Sequence, residues 1–168
     1  MHSVVIMGVA GCGKSSLGLH LAQHTGMALV EGDDHHSAAN RSKMQQGIAL
    51  TDEDRAGWLD SLCDQIQLHP HDVVVTCSAL KLSYRERLRR AAPGLCFAYL
   101  KISQAQAQVR VAARAANHFF ASSLVDNQFA TLEDPAGEPG VLVLDAMRAL
   151  DDLQAAVRDW LSTQQERV

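Results

Sequence analysis

The sequence has few cysteines, and their spacing argues against two common ways of stabilising a small protein. The four cysteines are Cys12, Cys63, Cys77 and Cys96, and no two of them form a C-x-x-C pair. This spacing indicates neither a zinc site nor a disulfide framework. It favours a reducing compartment, and we therefore expect a cytoplasmic protein.

The chain also lacks an excess of positive charge and a long apolar run. Its formal net charge is -4 at pH 7, and its pI is near 6.0. A nucleic-acid surface normally needs a clustered positive field, so we expect a small soluble partner and no nucleic acid. No apolar run approaches the roughly 18 residues that span a bilayer, and no basic leader precedes the first apolar segment. We expect neither secretion nor membrane insertion.

The pattern of apolar runs predicts the fold class. Several runs are continuous rather than alternating, as in parallel strands that are covered on both faces, and helical segments or polar loops separate them. The 168 residues suffice for one domain, and we expect a single domain over 1–168. The prediction is an α/β fold of three layers around a five-stranded parallel sheet. Predicted strands cover 4–7, 28–30, 73–76, 96–100 and 141–144, and predicted helices cover 14–23, 52–68, 84–92, 105–116 and 153–161.

The segment after the first strand matches the P-loop pattern G-x-x-x-x-G-K-[ST]. Glycines let the backbone wrap around phosphate, its N–H groups point inward, and the following helix offers its positive end. Lys14 should reach the β and γ phosphates of a nucleoside triphosphate, and the Ser15 hydroxyl should hold Mg²⁺. A simple glycine turn is the alternative. The predicted nucleotide-binding residues are Gly8, Val9, Ala10, Gly11, Cys12, Gly13, Lys14, Ser15 and Ser16.

The end of the second predicted strand carries acids and histidines in the run Glu31-Gly32-Asp33-Asp34-His35-His36. Ligands of open α/β sheets gather at the carboxyl ends of the strands. Asp33 is our candidate to accept the proton of an attacking hydroxyl or to hold it in line with the γ phosphate. A solvated turn is the alternative, and a metal cluster is disfavoured because adjacent residues of an extended segment point in opposite directions.

Cations follow the third predicted strand, where an anionic group of a substrate could lie. Lys81 and Arg85 are nearest the strand end, and we predict that both bind substrate. For Arg87, Arg89 and Arg90 we favour a salt-bridged surface helix.

Two arginines four residues apart, Arg110 and Arg114, follow the fourth predicted strand. Small kinases close an arginine-bearing lid over the transferred phosphoryl group and exclude water. We predict such a lid over about 110–130, with both arginines catalytic. His118, within it, either touches substrate or packs in the lid.

Several motifs together resemble the gluconokinases. The resemblance extends from about residue 7 to residue 135, and its most specific blocks are Cys-Ser-Ala-Leu-Lys and Asp-x-Asp-Arg-x-x-Trp-Leu. The matching segments are Met7-Gly8-Val9-x-Gly11-x-Gly13-Lys14-Ser15, Gly32-Asp33-x-x-His36, Asn40-x-x-Lys43-Met44, Leu50-x-Asp52-x-Asp54-Arg55-x-x-Trp58-Leu59, Cys77-Ser78-Ala79-Leu80-Lys81-x-x-Tyr84-Arg85, His118-Phe119-Phe120 and Gln128-Phe129-x-Thr131-Leu132-Glu133-x-Pro135.

The resemblance implies transfer of the γ-phosphoryl group of ATP to the 6-hydroxyl of D-gluconate, with Mg²⁺ and within a homodimer. It also implies that Asp33 and His36 bond substrate hydroxyls and that Arg55 is a further cation on the substrate side. Lys81 and Arg85 would hold the substrate carboxylate.

This chain departs from the family pattern in its lid and in its P-loop. The spacing from Arg114 to His118 is one residue longer than usual, Asn117 replaces a glycine, and Cys12 replaces a serine. Two alternatives remain open. One is a kinase for another small acceptor, such as shikimate, a nucleoside or a nucleotide, and the other is a nucleotide-binding relative without activity.

Overall fold

The computed structural model of the protein describes residues 2–69, 71–114 and 122–165. Strands and helices alternate along most of the chain, as the sequence predicts. The strands are β1 (Val4–Met7), β2 (Ala28–Glu31), β3 (Val73–Thr76), β4 (Cys96–Lys101) and β5 (Val141–Asp145). The helices are α1 (Lys14–Thr25), α2 (Ala38–Gln45), α3 (Asp52–Leu68), α4 (Leu82–Ala91), α5 (Gln104–Arg114), α6 (Ser122–Thr131) and α7 (Leu150–Gln165), and a 3₁₀ turn covers Gly32–His35.

The strands form one parallel sheet in the order β2-β3-β1-β4-β5. In the centre, Val5 lies opposite Val75 on one side and Phe97 on the other. The predicted α/β class and five-stranded parallel sheet are confirmed. Strands β2, β4 and β5 each extend one residue further than predicted, because a charged residue, Glu31, Lys101 or Asp145, ends each of them.

Each face of the sheet packs against its own helices, since successive residues of a strand point to opposite faces. Val4 and Ile6 of β1 join a core cluster that includes residues of α1 and α7. Val5 and Met7 join the opposite cluster, with residues of α3 and α4. All four residues of β1 are fully buried, which accounts for the continuous apolar run.

Helix α3 begins and ends where the sequence predicts, and a capping box fixes its first turn. The Asp54 backbone N–H donates to Thr51 Oγ1 at 3.1 Å, and the Thr51 N–H donates to Asp54 Oδ2 at 2.9 Å. Hydrogen bonds from Lys43 and from the Thr51 backbone lower the pKa of Asp54 to about 2. The helix therefore presents Arg55, in its first turn, at a defined position.

Two helices were not predicted. Helix α2 is short and polar and has only Asn40 buried, so it shows no apolar periodicity, but Ser37 caps it by accepting from the Asn40 N–H. Helix α6 lies within the segment that we predicted as a lid. The predictions for Asn117, His118, Phe119 and Phe120 fall outside the described residues. In the described part of the chain, no helix is long and apolar enough to cross a membrane.

Candidate active site

A cavity of about 770 Å³ opens where the carboxyl ends of β1, β2 and β3 meet. Residues of the P-loop, the 3₁₀ turn and helices α2, α3, α5 and α6 line it. The sequence-predicted residues that line it are Ala10, Gly11, Gly13, Lys14, Ser15, Asp33, His36, Arg55 and Arg114.

The P-loop wraps around the Lys14 ammonium group. Lys14 Nζ donates to the backbone carbonyls of Gly8 at 3.0 Å and Val9 at 3.1 Å. Gly13, which precedes α1, has a φ of 99°, a conformation that favours glycine. Val9 and Cys12 are buried behind the loop, and Ser16 is exposed on α1, so these three do not line the cavity.

The Ser15 hydroxyl lies beside a carboxylate to which the sequence analysis assigned no role. Ser15 Oγ donates to Glu31 Oε2 at 3.0 Å, and Thr76 Oγ1 donates to the same oxygen at 2.7 Å. Gly32 lets β2 approach β3 here, because a Cβ at Gly32 would lie 2.0 Å from the Thr76 carbonyl oxygen. The position of Glu31 at a strand end facing the P-loop is the sequence signal that could have found it.

A hydroxyl and a carboxylate suit Mg²⁺, which prefers oxygen ligands and takes few of them from protein when phosphates are present. In residues 2–69, 71–114 and 122–165, no group of three or more His, Cys, Asp or Glu side chains forms a cation site. The Ser15 hydroxyl and the Glu31 carboxylate fit a metal that also binds the phosphates of a nucleotide.

Asp33 and His36 lie at opposite ends of the short turn that follows β2. Asp33 is exposed in the cavity. His36 is buried and stacks on Trp58, with ring centroids 4.4 Å apart and an interplanar angle of 13°. The pKa of His36 is lowered to about 4, mainly by burial, while the charge of Asp33 opposes this shift and the nearby cations of Arg55 and Arg41 add to it. The imidazole is therefore neutral near pH 7.

Asn40 determines which nitrogen of His36 carries the proton. Asn40 Nδ2 donates to the Asp54 backbone carbonyl at 2.8 Å and lies 3.3 Å from His36 Nδ1. Because a carbonyl only accepts, the NH₂ end of Asn40 must face both partners, and His36 Nδ1 must accept. The hydrogen of the neutral ring is therefore on Nε2.

Arg55 is buried and only partly paired. Its side chain is among the cavity-lining groups, and Nη1 donates to the Tyr84 hydroxyl at 3.4 Å. Tyr84 in turn donates to Asp52, which also pairs with Lys81 at 2.9 Å. Among the described residues, no other acceptor engages the Arg55 guanidinium, so four of its five N–H groups have no acceptor in that part of the chain.

Lys81 and Arg85, which we predict to bind substrate, are not among the residues that line the cavity. Lys81 faces Asp52, and the hydrogen bond between them raises the pKa of Lys81. Arg85 is fully buried, and all five of its N–H groups are used. They donate to the backbone carbonyls of Ala79, Leu80 and Glu133 and to the Glu138 carboxylate.

The two predicted lid arginines have different surroundings. Arg114 is exposed at the end of α5 and lines the cavity. Arg110 is outside the lining, where Nη1 donates to the Gly11 and Cys12 carbonyls at 3.3 Å each and Nη2 donates to the Ala146 carbonyl at 3.2 Å. Arg110 thus braces the P-loop against the segment that follows β5.

The chain resembles known proteins along most of its length. A family model described as an AAA domain matches residues 4–139. The thermoresistant gluconokinase of Escherichia coli (strain K12) is 38% identical over 159 residues, covering 92% of this chain and 90% of that protein. The gluconokinase of Gluconobacter oxydans (strain 621H) is 41% identical over 143 residues, covering 83% and 79%. The chain belongs to the gluconokinase family.

Solved structures agree with membership of the gluconokinase family. The crystal structure of a gluconokinase from Sinorhizobium meliloti 1021 is 40% identical, has a TM-score of 0.85 and covers 97% of both chains. The Mycobacterium tuberculosis APS kinase CysC, in complex with AMPPNP and APS, has a TM-score of 0.71 at 19% identity, which shows only a shared fold. Family and fold together make this chain an ATP-dependent kinase.

Three features in and around the cavity of this gluconokinase-family chain had no predicted role. They are Glu31 beside Ser15, Asn40 beside His36, and Gln128 of α6, whose Oε1 accepts from the Ala10 backbone N–H at 2.7 Å. Asn40 and Gln128 occur in the motifs of the resemblance, but their partners are distant in sequence or in another element, so the motifs alone did not show what they do.

Proposed function

We propose that this protein transfers the γ-phosphoryl group of ATP to the 6-hydroxyl of D-gluconate, giving 6-phosphogluconate and ADP. The observation that carries the proposal is the cavity, which joins a P-loop to a buried, partly paired arginine. A triphosphate suits one end, and a small carboxylated polyol suits the other. The family to which the chain belongs supports gluconate as this polyol.

At the nucleotide end, the P-loop backbone and Lys14 hold the phosphates. Ser15 would hold Mg²⁺, with Glu31 beside it to accept hydrogen bonds or complete the ligand set. When bound, Mg²⁺ neutralises charge that develops on the phosphate oxygens.

At the acceptor end, Arg55 binds the carboxylate of gluconate through its available N–H groups. His36 donates from Nε2 to a hydroxyl oxygen, and it stays neutral at pH 7 because of its low pKa. Asp33 orients the 6-hydroxyl and accepts its proton. The oxygen then forms a bond to the γ phosphorus, the bond from that phosphorus to the bridging oxygen breaks, and ADP leaves with the electron pair.

The end of α5 and nearly all of α6 fall within the proposed lid over about 110–130, within one kinase domain that spans 1–168. Arg114 is the arginine best placed to meet the transferred group, and Arg110 acts by holding the P-loop. We also propose that the enzyme works in the cytoplasm as a homodimer.

A coupled ADP-release assay tests the proposed function. The protein with Mg²⁺ and ATP is offered D-gluconate, related sugar acids, glucose, shikimate and AMP. We expect strong turnover with D-gluconate and little with the other acceptors. Preference for shikimate or AMP would contradict the gluconate assignment, and ATP binding without turnover on any acceptor would contradict catalysis.

The variant Asp33→Asn tests the assigned base. We expect kcat to fall by at least about 10²-fold, since proton transfer to a positioned group contributes about 10²–10⁴-fold. ATP binding should change little. The matched control is Asp34→Asn, which removes the neighbouring cavity carboxylate and should keep most of the activity. Equal losses in both variants would show that negative charge, not the position of Asp33, matters.

A further inference from the structure

Gln128 connects helix α6 to the P-loop at a position that no step above uses. Its Oε1 lies 2.7 Å from the backbone nitrogen of Ala10, the third residue of the P-loop. The Gln128 side chain also lines the same cavity as Lys14 and Asp33. It is thus a neutral polar group between the phosphate-binding loop and the acceptor side.

The hydrogen bond fixes the orientation of the Gln128 amide. A backbone N–H can only donate, so the oxygen end of the amide must face Ala10, and the NH₂ end must point away from it. Among the described residues, none accepts a hydrogen bond from Gln128 Nε2, and this nitrogen is not among the buried unpaired atoms. The cavity therefore gains an oriented donor with two hydrogens available.

The surroundings indicate which part of a nucleotide this donor meets. Lys14 Nζ, which reaches β and γ phosphates in P-loops, lies 3.1 Å from the carbonyl of Val9, the residue before Ala10. The backbone at Ala10 is thus at the γ end of the loop. Asp33 and Arg114 line the same cavity on its acceptor and lid sides.

We propose that Gln128 is a γ-phosphate-binding residue of this kinase: Oε1 holds the Ala10 N–H in place while Nε2 donates to an oxygen of the γ-phosphoryl group. The role rests on the ATP site of the proposed function and not on the identity of the acceptor. A hydrogen bond to a charged group is worth about 10–100-fold in affinity. Loss of this hydrogen bond should therefore lower the affinity for a nucleoside triphosphate and not the affinity for a diphosphate.

The test compares Gln128→Glu with Gln128→Ala, using calorimetric titration of Mg²⁺-AMPPNP and Mg²⁺-ADP. Glutamate keeps an oxygen for the Ala10 N–H but presents a second, charged oxygen to the γ phosphate. We expect Gln128→Glu to weaken AMPPNP binding by about 10–100-fold and ADP binding by no more than about threefold. Gln128→Ala should weaken AMPPNP binding less than glutamate does.

A purely structural role predicts the opposite order. If Gln128 only holds Ala10, glutamate restores binding, alanine weakens both nucleotides equally, and the proposal is overturned. The matched charge control is Asn127→Asp, the adjacent cavity-lining amide. An equal effect of Asn127→Asp on the AMPPNP-to-ADP affinity ratio would show a general charge effect and would also overturn the proposal.

Two further measurements cover a variant that does not fold and a failure of the acceptor assignment. If Gln128→Glu does not fold, as judged by circular dichroism, Gln128→Met replaces it and should weaken AMPPNP by about tenfold with ADP nearly unchanged. Unchanged AMPPNP binding in Gln128→Met overturns the role. If the Gln128 variants lose AMPPNP affinity as expected but the wild-type protein does not phosphorylate D-gluconate, only the acceptor assignment is refuted.

Discussion

Two buried arginines, Arg55 of α3 and Arg85 of α4, have opposite surroundings. Arg55 is 8% exposed, lines the cavity and donates to Tyr84, whereas Arg85 is a fully buried residue of α4. Arg85 donates to three backbone carbonyls and to Glu138, which accepts at 2.6 Å. Burial alone therefore does not distinguish a structural arginine from one that binds a ligand.

The difference lies in how many donors the protein itself uses. Burial raises the pKa of Glu138, but the hydrogen bonds from Arg85 and Arg89 outweigh it and lower the pKa overall. The Glu138 carboxylate is therefore ionised and pairs with Arg85. A buried cation with unused donors, such as Arg55, has an unfavourable desolvation energy that an anionic ligand can offset.

The largest effect should follow from Arg85→Met. The change removes the buried cation that pairs with Glu138 and leaves the Ala79 and Glu133 carbonyls without the donors that Arg85 supplies, so we expect the free energy of unfolding to fall by about 3–5 kcal/mol. Urea unfolding followed by circular dichroism measures it.

Arg89→Met is the matched control, since Arg89 donates to the same carboxylate at 2.9 Å but is more exposed. It should lose about 1 kcal/mol or less. Equal losses in the two variants would mean that burial and complete pairing do not distinguish Arg85.

Arg55→Met should do the reverse of Arg85→Met, weakening substrate binding and leaving stability nearly unchanged. We expect KM for D-gluconate to rise by about 10²-fold, because removing one partner of a desolvated charge pair costs about 2–5 kcal/mol. The free energy of unfolding should change by less than about 1 kcal/mol, since no buried partner carboxylate is left unpaired. Steady-state kinetics and urea unfolding of the same preparation test both.

Lys81→Met is the control for Arg55→Met, since Lys81 shares the Asp52 cluster but does not line the cavity. Its KM for gluconate should stay within about threefold of wild type, as expected for an exposed pair. A normal KM in Arg55→Met, together with a large loss of stability, would reassign Arg55 to the structural class of Arg85.

A smaller effect on stability should come from His36. This buried side chain is neutral in the folded protein, so no desolvated charge destabilises it. Its pKa is about 4 in the folded protein and 6.5 in the unfolded chain. Between these values the unfolded state binds more protons, so stability falls as pH drops from about 6.5 to 4. We expect a loss of about 2–3 kcal/mol between pH 7 and 4.5 from this group.

The measurement is urea unfolding from pH 7 to 4.5 for wild type and His36→Gln. The variant lacks the titrating group, so its stability should depend less on pH by the same amount. Parallel pH profiles would contradict a buried neutral imidazole. The groups that face His36 and must be considered are Asp33, Arg55 and Arg41.

Local sequence predicted the secondary structure well where burial or capping left a pattern. Strand β1 is apolar throughout because both faces are covered, and α3 begins at a Thr51 cap. Helix α2 was missed because it buries only Asn40 and has no apolar stripe. Its importance arises from contacts with His36 and with α3, which its own composition does not encode.

The predicted placement of site residues agrees with the structure where neighbouring residues carry the chemistry and differs from it where distant residues decide the placement. The P-loop places Lys14 and Ser15 in the cavity, because one strand, one turn and one helix suffice to orient them. Arg85 was predicted to bind substrate because it follows a strand end, but its partner Glu138 is 53 residues away in the sequence.

The sequence by itself determined the alternation of strands and helices, the P-loop and the kinase family, because hydrophobic periodicity and short motifs depend on residues adjacent in the chain. The tertiary structure alone decided which arginine has unused donors, which nitrogen of His36 carries its hydrogen, and which way the Gln128 amide points. These properties depend on hydrogen-bond partners that only folding brings within about 3 Å of one another.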